Sequence, residues 1–254
     1  MARRTVIAGN WKLYKTIREA IEFATLLKRE SFGECEVVVC APFTSLSELA
    51  EILRESGIKL GAQDLYWEDQ GAFTGEVSGP LLKDAGCEYV VVGHSERRQF
   101  FNETDETVNR KAKAALRSGL TPIVCCGELL AEREGGKTES VLKTQIEGGF
   151  KGFEAGDVRR CVVAYEPVWA IGTGKVATPA QAQEAQAYIR RLLEKLFGPE
   201  TSSVVSILYG GSVKPENSAE ILKQPDVDGA LVGGASLDAK SFAAIIRSSN
   251  SVRV

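Results

Sequence analysis

Thr5-Val6-Ile7-Ala8-Gly9-Asn10-Trp11-Lys12 is the stretch on which the fold turns. Thr5–Gly9 has too few polar groups to be half exposed, so it reads as a short strand covered on both faces. The residues just beyond it decide between two α/β architectures. In an open, doubly wound sheet the first strand runs straight into a glycine-rich turn that takes a dinucleotide's phosphates. Here an amide, an indole and a cation stand in that place instead. Reading outward, similar runs recur at Glu36–Ala41, Ile58–Ala62, Tyr89–Gly93, Thr121–Cys126, Cys161–Tyr165, Val204–Tyr209 and Gly229–Val232. Between them apolar residues fall three or four apart, as in Ile17, Ile21, Ala24, Leu27, then Leu46, Leu49, Leu53, and Tyr188, Leu192, Leu193, Leu196. Helix starts are marked too. Thr178 precedes Pro179 as a capping hydroxyl, Lys214-Pro215-Glu216 resembles it without the cap, and Asp238 can cap a last helix carrying Phe242, Ile245 and Ile246. Eight strand–helix units in 254 residues predict a single (β/α)8 barrel domain over residues 1–254, with parallel strands and outer helices. No linker or shift of composition divides the chain.

Composition narrows the chemistry. Lys and Arg total 31 against 34 Asp and Glu, a net charge of −3, which argues against a nucleic-acid or anionic-membrane surface. The single histidine, His94, rules out a His-rich metal site and a His–His proton relay. Six cysteines (Cys35, Cys40, Cys87, Cys125, Cys126, Cys161) show no CxxC spacing and sit mostly among β-branched residues, as small buried apolar groups do. Cys125 and Cys126 would point to opposite faces of one strand, so they share no metal. No run is long enough for a membrane helix, and Met1-Ala2-Arg3-Arg4 lacks the apolar centre of a signal peptide. Glu19 and Glu22 argue against a transit peptide, so a reducing cytoplasm is the expected location.

Barrel chemistry is built at the C-terminal ends of the strands. There the first run ends in Asn10-Trp11-Lys12, the fourth in His94-Ser95-Glu96-Arg97-Arg98, and the sixth in Glu166-Pro167. The last two end in Gly210-Gly211-Ser212 and Gly233-Gly234-Ala235-Ser236. A lone histidine is more often structural than functional, but His94 opens a polar stretch after Tyr89-Val90-Val91-Val92. A helix N-terminus just after it would lower its pKa and favour a neutral, hydrogen-bonding imidazole. Glu166 could be a surface carboxylate at a loop start. Beside Val168 and Trp169, however, desolvation would raise its pKa and suit it to abstract a carbon-bound proton. Lys12, ordinarily a solvated lysine, would there hold an anionic substrate and a developing oxyanion. A single GG pair is often only a tight turn. Two GG pairs after the last two strands are where barrels bind phosphate, with backbone N–H groups and a short helix N-terminus as donors.

Ile171-Gly172-Thr173-Gly174-Lys175 invites two readings that fail. As a P-loop it has Trp169 in place of the first glycine and Val176 in place of Ser or Thr; as a dinucleotide fingerprint it lacks the direct strand-to-helix turn. A lid with Trp169, Ala170 and Ile171 as its apolar tip fits better.

At these positions the chain resembles the triosephosphate isomerase family, from about Thr5 to Arg247. The resemblance is carried by Gly9–Lys12, Gly71-Ala72-Phe73-Thr74-Gly75-Glu76, Gly93–Arg98, Tyr165–Lys175, Tyr209–Val213 and Leu231–Ser236. It implies the TIM-barrel fold and cofactor-free interconversion of two triose phosphates, dihydroxyacetone phosphate and glyceraldehyde 3-phosphate, through an enediolate. Glu166 would be the base and neutral His94 the electrophile. Lys12 and Asn10 would hold charge and carbonyl oxygen. Glu96 would support the constellation, with Ser95 close to the base. N–H groups of Gly172, Ser212, Gly233 and Gly234 would cradle the phosphate, and closure of Pro167–Ala177 would exclude water. The family implies a homodimer through the loop Tyr66–Glu76, where Tyr66 and Trp67 suit burial against a partner better than a bland surface loop does. Two departures, Asp64 where many members carry asparagine and Tyr14 near the expected interface, bear on packing and not on catalytic groups. Two other readings stay open at this level: a Schiff-base aldolase using Lys12, and a non-catalytic phosphate-binding barrel.

Overall fold

Strands whose two faces are both apolar must be covered on both sides, and closing the sheet on itself achieves this without leaving an edge. The computed structural model, which describes residues 3–171 and 176–250, shows that closure. Its parallel strands are β1 (Val6–Asn10), β2 (Glu36–Ala41), β3 (Lys59–Ala62), β4 (Tyr89–Val92), β5 (Thr121–Cys126), β6 (Val162–Tyr165), β7 (Ser206–Tyr209) and β8 (Gly229–Val232). They pair in sequence order, and β8 returns to β1 with Val6 opposite Gly229. The expected runs match these within one or two residues at their ends; Gly93, for example, falls outside β4.

The two faces separate cleanly by the strand period of two. Val6, Ala8, Val38, Cys40, Val91, Ile123, Cys125, Val162, Ala164, Leu208 and Leu231 form the barrel interior. Alternate residues such as Ile7, Val39, Val92, Cys126 and Val163 join the helices in an outer core. Cys125 and Cys126 therefore do face opposite ways. At the lower end of the interior, the Tyr89 hydroxyl donates to Glu36 at 2.6 Å and Arg4 pairs with the same carboxylate at 2.9 Å, which closes that end with satisfied polar groups.

Each strand is followed by a helix on the outside, the longest being Pro179–Phe197. Thr178 caps it as expected, accepting from the Gln181 N–H while Gln181 accepts from the Thr178 N–H. Asp238 likewise accepts from the Ser241 N–H at 2.8 Å, and Phe242, Ile245 and Ile246 are fully buried in Ala239–Asn250. Leu46, Leu49 and Leu53 bury as read, each side chain contributing about 1.5–3 kcal/mol by leaving water. The stripe on Ile17–Leu27 is rotated from expectation: Ala20, Phe23, Ala24 and Leu27 are buried and Ile17 is exposed. Phe23 sets that rotation by packing edge-on against Trp11 at 4.9 Å. Leu196 is also exposed, and Ile189 takes its place in the core. Among the described residues, no helix is long and apolar enough to cross a membrane.

Candidate active site

Alternation along the strands carries two polar side chains into the barrel mouth. Val6 and Ala8 fill the interior, so Asn10 comes next above them; Val162 and Ala164 likewise lead to Glu166. Both are buried. His94 arrives differently. Gly93 has φ +70°, a left-handed conformation that ends the alternation of β4. His94 then caps the helix Ser95–Phe100, its Nδ1 accepting the Glu96 N–H at 3.2 Å. An accepting Nδ1 needs a lone pair, so the neutral ring carries its proton on Nε2. That nitrogen lies 2.8 Å from Glu166 Oε1. Glu166 Oε2 accepts the Ser95 N–H at 2.9 Å, and the Ser95 hydroxyl is 3.3 Å from Oε1.

This pairing changes the electrostatics read from the sequence. Burial alone would push the Glu166 carboxyl upward, but His94, the Ser95 N–H and Lys12 outweigh it and hold Glu166 below the usual carboxylate range. Burial alone would lower His94, yet Glu166 and Glu96 beside it raise it above the ordinary imidazole value. The expected upward shift of Glu166 and downward shift of His94 are thus both corrected. The cause is that each group's nearest ionisable neighbour is the other.

Lys12 is held by its own loop. It has φ +53°, supported by the Asn10 side-chain oxygen accepting the Lys12 N–H at 3.0 Å. Its Nζ lies 2.6 Å from Glu96 Oε1, with the two side chains 22% and 37% exposed. Asn10, Lys12, His94, Glu166, Ser212, Gly233 and Gly234 all line one cavity of about 490 Å³. Glu96 and Ser95 stand just behind that surface, one on Lys12 and the other on Glu166. Of the expected site residues, Gly172 lies outside the described residues, as does the rest of Gly172–Lys175.

The two glycine pairs differ in what their missing side chains leave room for. A Cβ on Gly234 would meet nothing within 4 Å, and one on Gly233 would come 3.4 Å from Lys12 Cε. These backbones stand open to a ligand, and Gly234 begins the short 3₁₀ turn Gly234–Leu237. A Cβ on Gly210 would lie 2.9 Å from Glu166 Cγ, and one on Gly211 would lie 2.2 Å from the Tyr209 hydroxyl. The first pair therefore also makes room for the Glu166 side chain and the Tyr209 hydroxyl, while both of its glycines line the same cavity as Gly233 and Gly234.

Sequence reading missed Glu128. It is fully buried, accepting from the Tyr165 hydroxyl at 3.0 Å and from Trp169 Nε1 at 2.9 Å, with Arg133 at 3.3 Å. The signal was available: a carboxylate just beyond an apolar strand, the same signal that singled out Glu166. It also bears on two of the three residues of the expected apolar tip, Trp169 and Ala170, the third, Ile171, lining the cavity. The first two are buried in the turn Val168–Ala170, and Trp169 is anchored to Glu128. Asp64 is buried as well, 2.6 Å from Lys111 and 2.9 Å from Arg97.

The family model for triosephosphate isomerase matches residues 5–249. A triosephosphate isomerase from Moorella thermoacetica is 60% identical over 245 residues, 96% of this chain and 98% of that protein. Those from Trichlorobacter lovleyi and Geobacter metallireducens are each 55% identical, covering 96% of this chain and 98% of their own lengths. Likeness of this extent, over a closed eight-stranded barrel with these side chains at its mouth, means that the chain belongs to the triosephosphate isomerase family.

Proposed function

We propose that the chain interconverts dihydroxyacetone phosphate and D-glyceraldehyde 3-phosphate through an enediolate, with no cofactor or metal. The observation that carries this is the convergence of Glu166, His94 Nε2–H and the Lys12 ammonium on one cavity. Glu166 takes a proton from the carbon beside the carbonyl and returns it to the neighbouring carbon. His94 donates its Nε2–H to the carbonyl oxygen, while Asn10 and Lys12 stabilise the charge that develops there. N–H groups at Ser212, Gly233 and Gly234, with Gly172, take the phosphate.

The pairing of Glu166 with His94 has a mechanistic use. While the carboxylate accepts from His94 and Ser95, it is a weak base. A substrate carbonyl that takes the Nε2–H removes one of those donors inside a buried site, and burial then raises the basicity of Glu166. The base gains strength where the carbon acid is bound.

The Schiff-base reading is not favoured, because the amine of Lys12 is engaged in the salt bridge to Glu96. A non-catalytic barrel would lack one of Asn10, Lys12, His94 or Glu166, and all four are in place. A coupled assay with either triose phosphate in the presence of a chelator tests the proposal. Fast turnover in both directions is expected, and no turnover of either substrate rejects it.

The same reading includes a cytoplasmic homodimer built on Tyr66–Glu76. Its support is exposed apolar side chains on and beside that loop, Phe73 and Leu81, which line one cavity with Tyr66, together with Leu13 at 97% exposure, Phe100 at 72%, Tyr14 and Phe101 elsewhere on the surface. Sedimentation at micromolar concentration should give twice the chain mass; a monomer removes this part of the proposal.

A further inference from the structure

Strand β5 loses its neighbour on one side before it reaches the site. The β4–β5 ladder ends with Val92 opposite Val124, and the left-handed Gly93 then takes the chain away. On the other side the ladder continues past β6. Cys126 O accepts the Glu166 N–H at 2.7 Å, and Glu128 O accepts the Val168 N–H at 3.1 Å. Successive residues of a strand direct their backbone groups to opposite sides, so those of Gly127 face the place that β4 has left. Gln145, from the helix Thr138–Gly149, occupies that place. Its Oε1 accepts the Gly127 N–H at 2.7 Å, and its Nε2 donates to Gly127 O at 3.1 Å. A side-chain carboxamide here does what the peptide of a neighbouring strand does elsewhere. Leu142 and Ile146, both buried, fix the helix that presents it.

Gly127 is also the backbone on which Glu166 rests. A Cβ at Gly127 would lie 1.7 Å from Glu166 O, so the two main chains touch directly. We propose that Gln145 is a positioning residue for the isomerisation: by clasping both backbone groups of Gly127 it fixes the surface that sets where the Glu166 carboxylate stands. This rests on the isomerase reading above. Gln145 has no place among the groups lining the substrate cavity and belongs to a second cavity of about 340 Å³ behind Glu166, shared with Arg98 and Cys126. It acts through the base, so its loss should change the chemical step and leave phosphate binding alone.

The test is steady-state kinetics of Gln145→Ala and Gln145→Glu, with protiated and C1-deuterated dihydroxyacetone phosphate and with inorganic phosphate as a competitive inhibitor. A misplacement approaching 1 Å costs about 100-fold, so Gln145→Ala is expected to lower kcat by about 10- to 100-fold. Its KM and phosphate inhibition constant should stay within about threefold of the parent values. The deuterium effect on kcat should rise, because a displaced base makes proton transfer more fully rate-limiting; loss of folded protein would not move that ratio. Gln145→Glu keeps the acceptor for the Gly127 N–H but not the donor, and should fall between. Lys143→Ala, on the exposed side of the same helix, should match the parent protein. A folded Gln145→Ala with kcat within about twofold, or with reduced kcat and an unchanged deuterium effect, overturns the proposal. If the alanine variant fails to fold, the glutamate variant decides by the same two readouts. Absence of turnover in the parent protein would instead overturn the isomerase reading.

Discussion

In the proposed mechanism, replacing Lys12 by methionine removes the cation that steadies the reacting oxygen and also exposes its partner. In the structure Lys12 Nζ and Glu96 Oε1 are 2.6 Å apart and both side chains are partly exposed. An effective dielectric of about 20 is appropriate there, at which a cation about 4 Å from a developing oxyanion is worth about 4 kcal/mol. That alone is about 10³ in kcat/KM. Without Lys12, the Glu96 carboxylate also faces an anionic substrate; at about 6 Å the same arithmetic gives about 3 kcal/mol of repulsion. Lys12→Met is therefore expected to lose about 10³- to 10⁵-fold in kcat/KM. Glu96→Gln alone should lose about 10- to 100-fold, since an unpaired Lys12 is held less well. Added to Lys12→Met, however, Glu96→Gln should restore about 10-fold or more by removing the repulsion. The assay is coupled kinetics of all four proteins at one low ionic strength, with fold checked by circular dichroism. If Glu96→Gln is equally harmful in both backgrounds, the carboxylate does not act through Lys12 and the reasoning fails.

Burial raises the Asp64 carboxyl to about 6 in spite of Lys111 and Arg97 beside it. The folded chain then holds a proton that the unfolded chain releases near pH 4, so stability falls as pH rises between about 4 and 6 and the cost is fully present above. Asp64→Asn is expected to raise Tm by several degrees near pH 8 and by little near pH 4 at fixed protein concentration; an equal gain at both pH values would contradict it. Thiol chemistry offers a second check. Cys40, Cys87, Cys125, Cys126 and Cys161 are buried and Cys35 is partly exposed, with burial pushing Cys87 and Cys161 up to about 12. A thiol reagent at neutral pH should modify at most one of the six quickly and all six in denaturant; rapid reaction of two or more in the folded protein would be against this packing.

The barrel was legible because its signals are local and repeated. Apolar runs of strand length, separated by periodic helices, report burial on both faces whatever the tertiary detail. Asn10 and Glu166 were legible for the same reason, since each continues its strand's inward alternation by one step. His94 was found by its polar neighbourhood, but its turn into the mouth depends on the φ of Gly93, which sequence reports only as a glycine. What sequence could not show was pairing across the barrel. Glu166 meets His94, Lys12 meets Glu96, and Gln145 meets Gly127 only after residues far apart in the chain are brought together. The directions of the Glu166 and His94 pKa values were therefore misread, because burial is legible in a sequence and a partner's charge is not. Gly210 and Gly211 show the same limit: a GG pair announces space for something, and only the structure reveals that it also clears Glu166 and Tyr209.

The most direct test of Glu166 as the carbon base is Glu166→Asp. Shortening the side chain by one methylene withdraws the carboxylate by about 1.5 Å, one carbon–carbon bond. The proposed binding groups at the ends of β1, β7 and β8 are untouched, so KM should stay within a few-fold while kcat falls about 10³-fold. An unchanged kcat, or a loss confined to KM, would show that another group moves the proton.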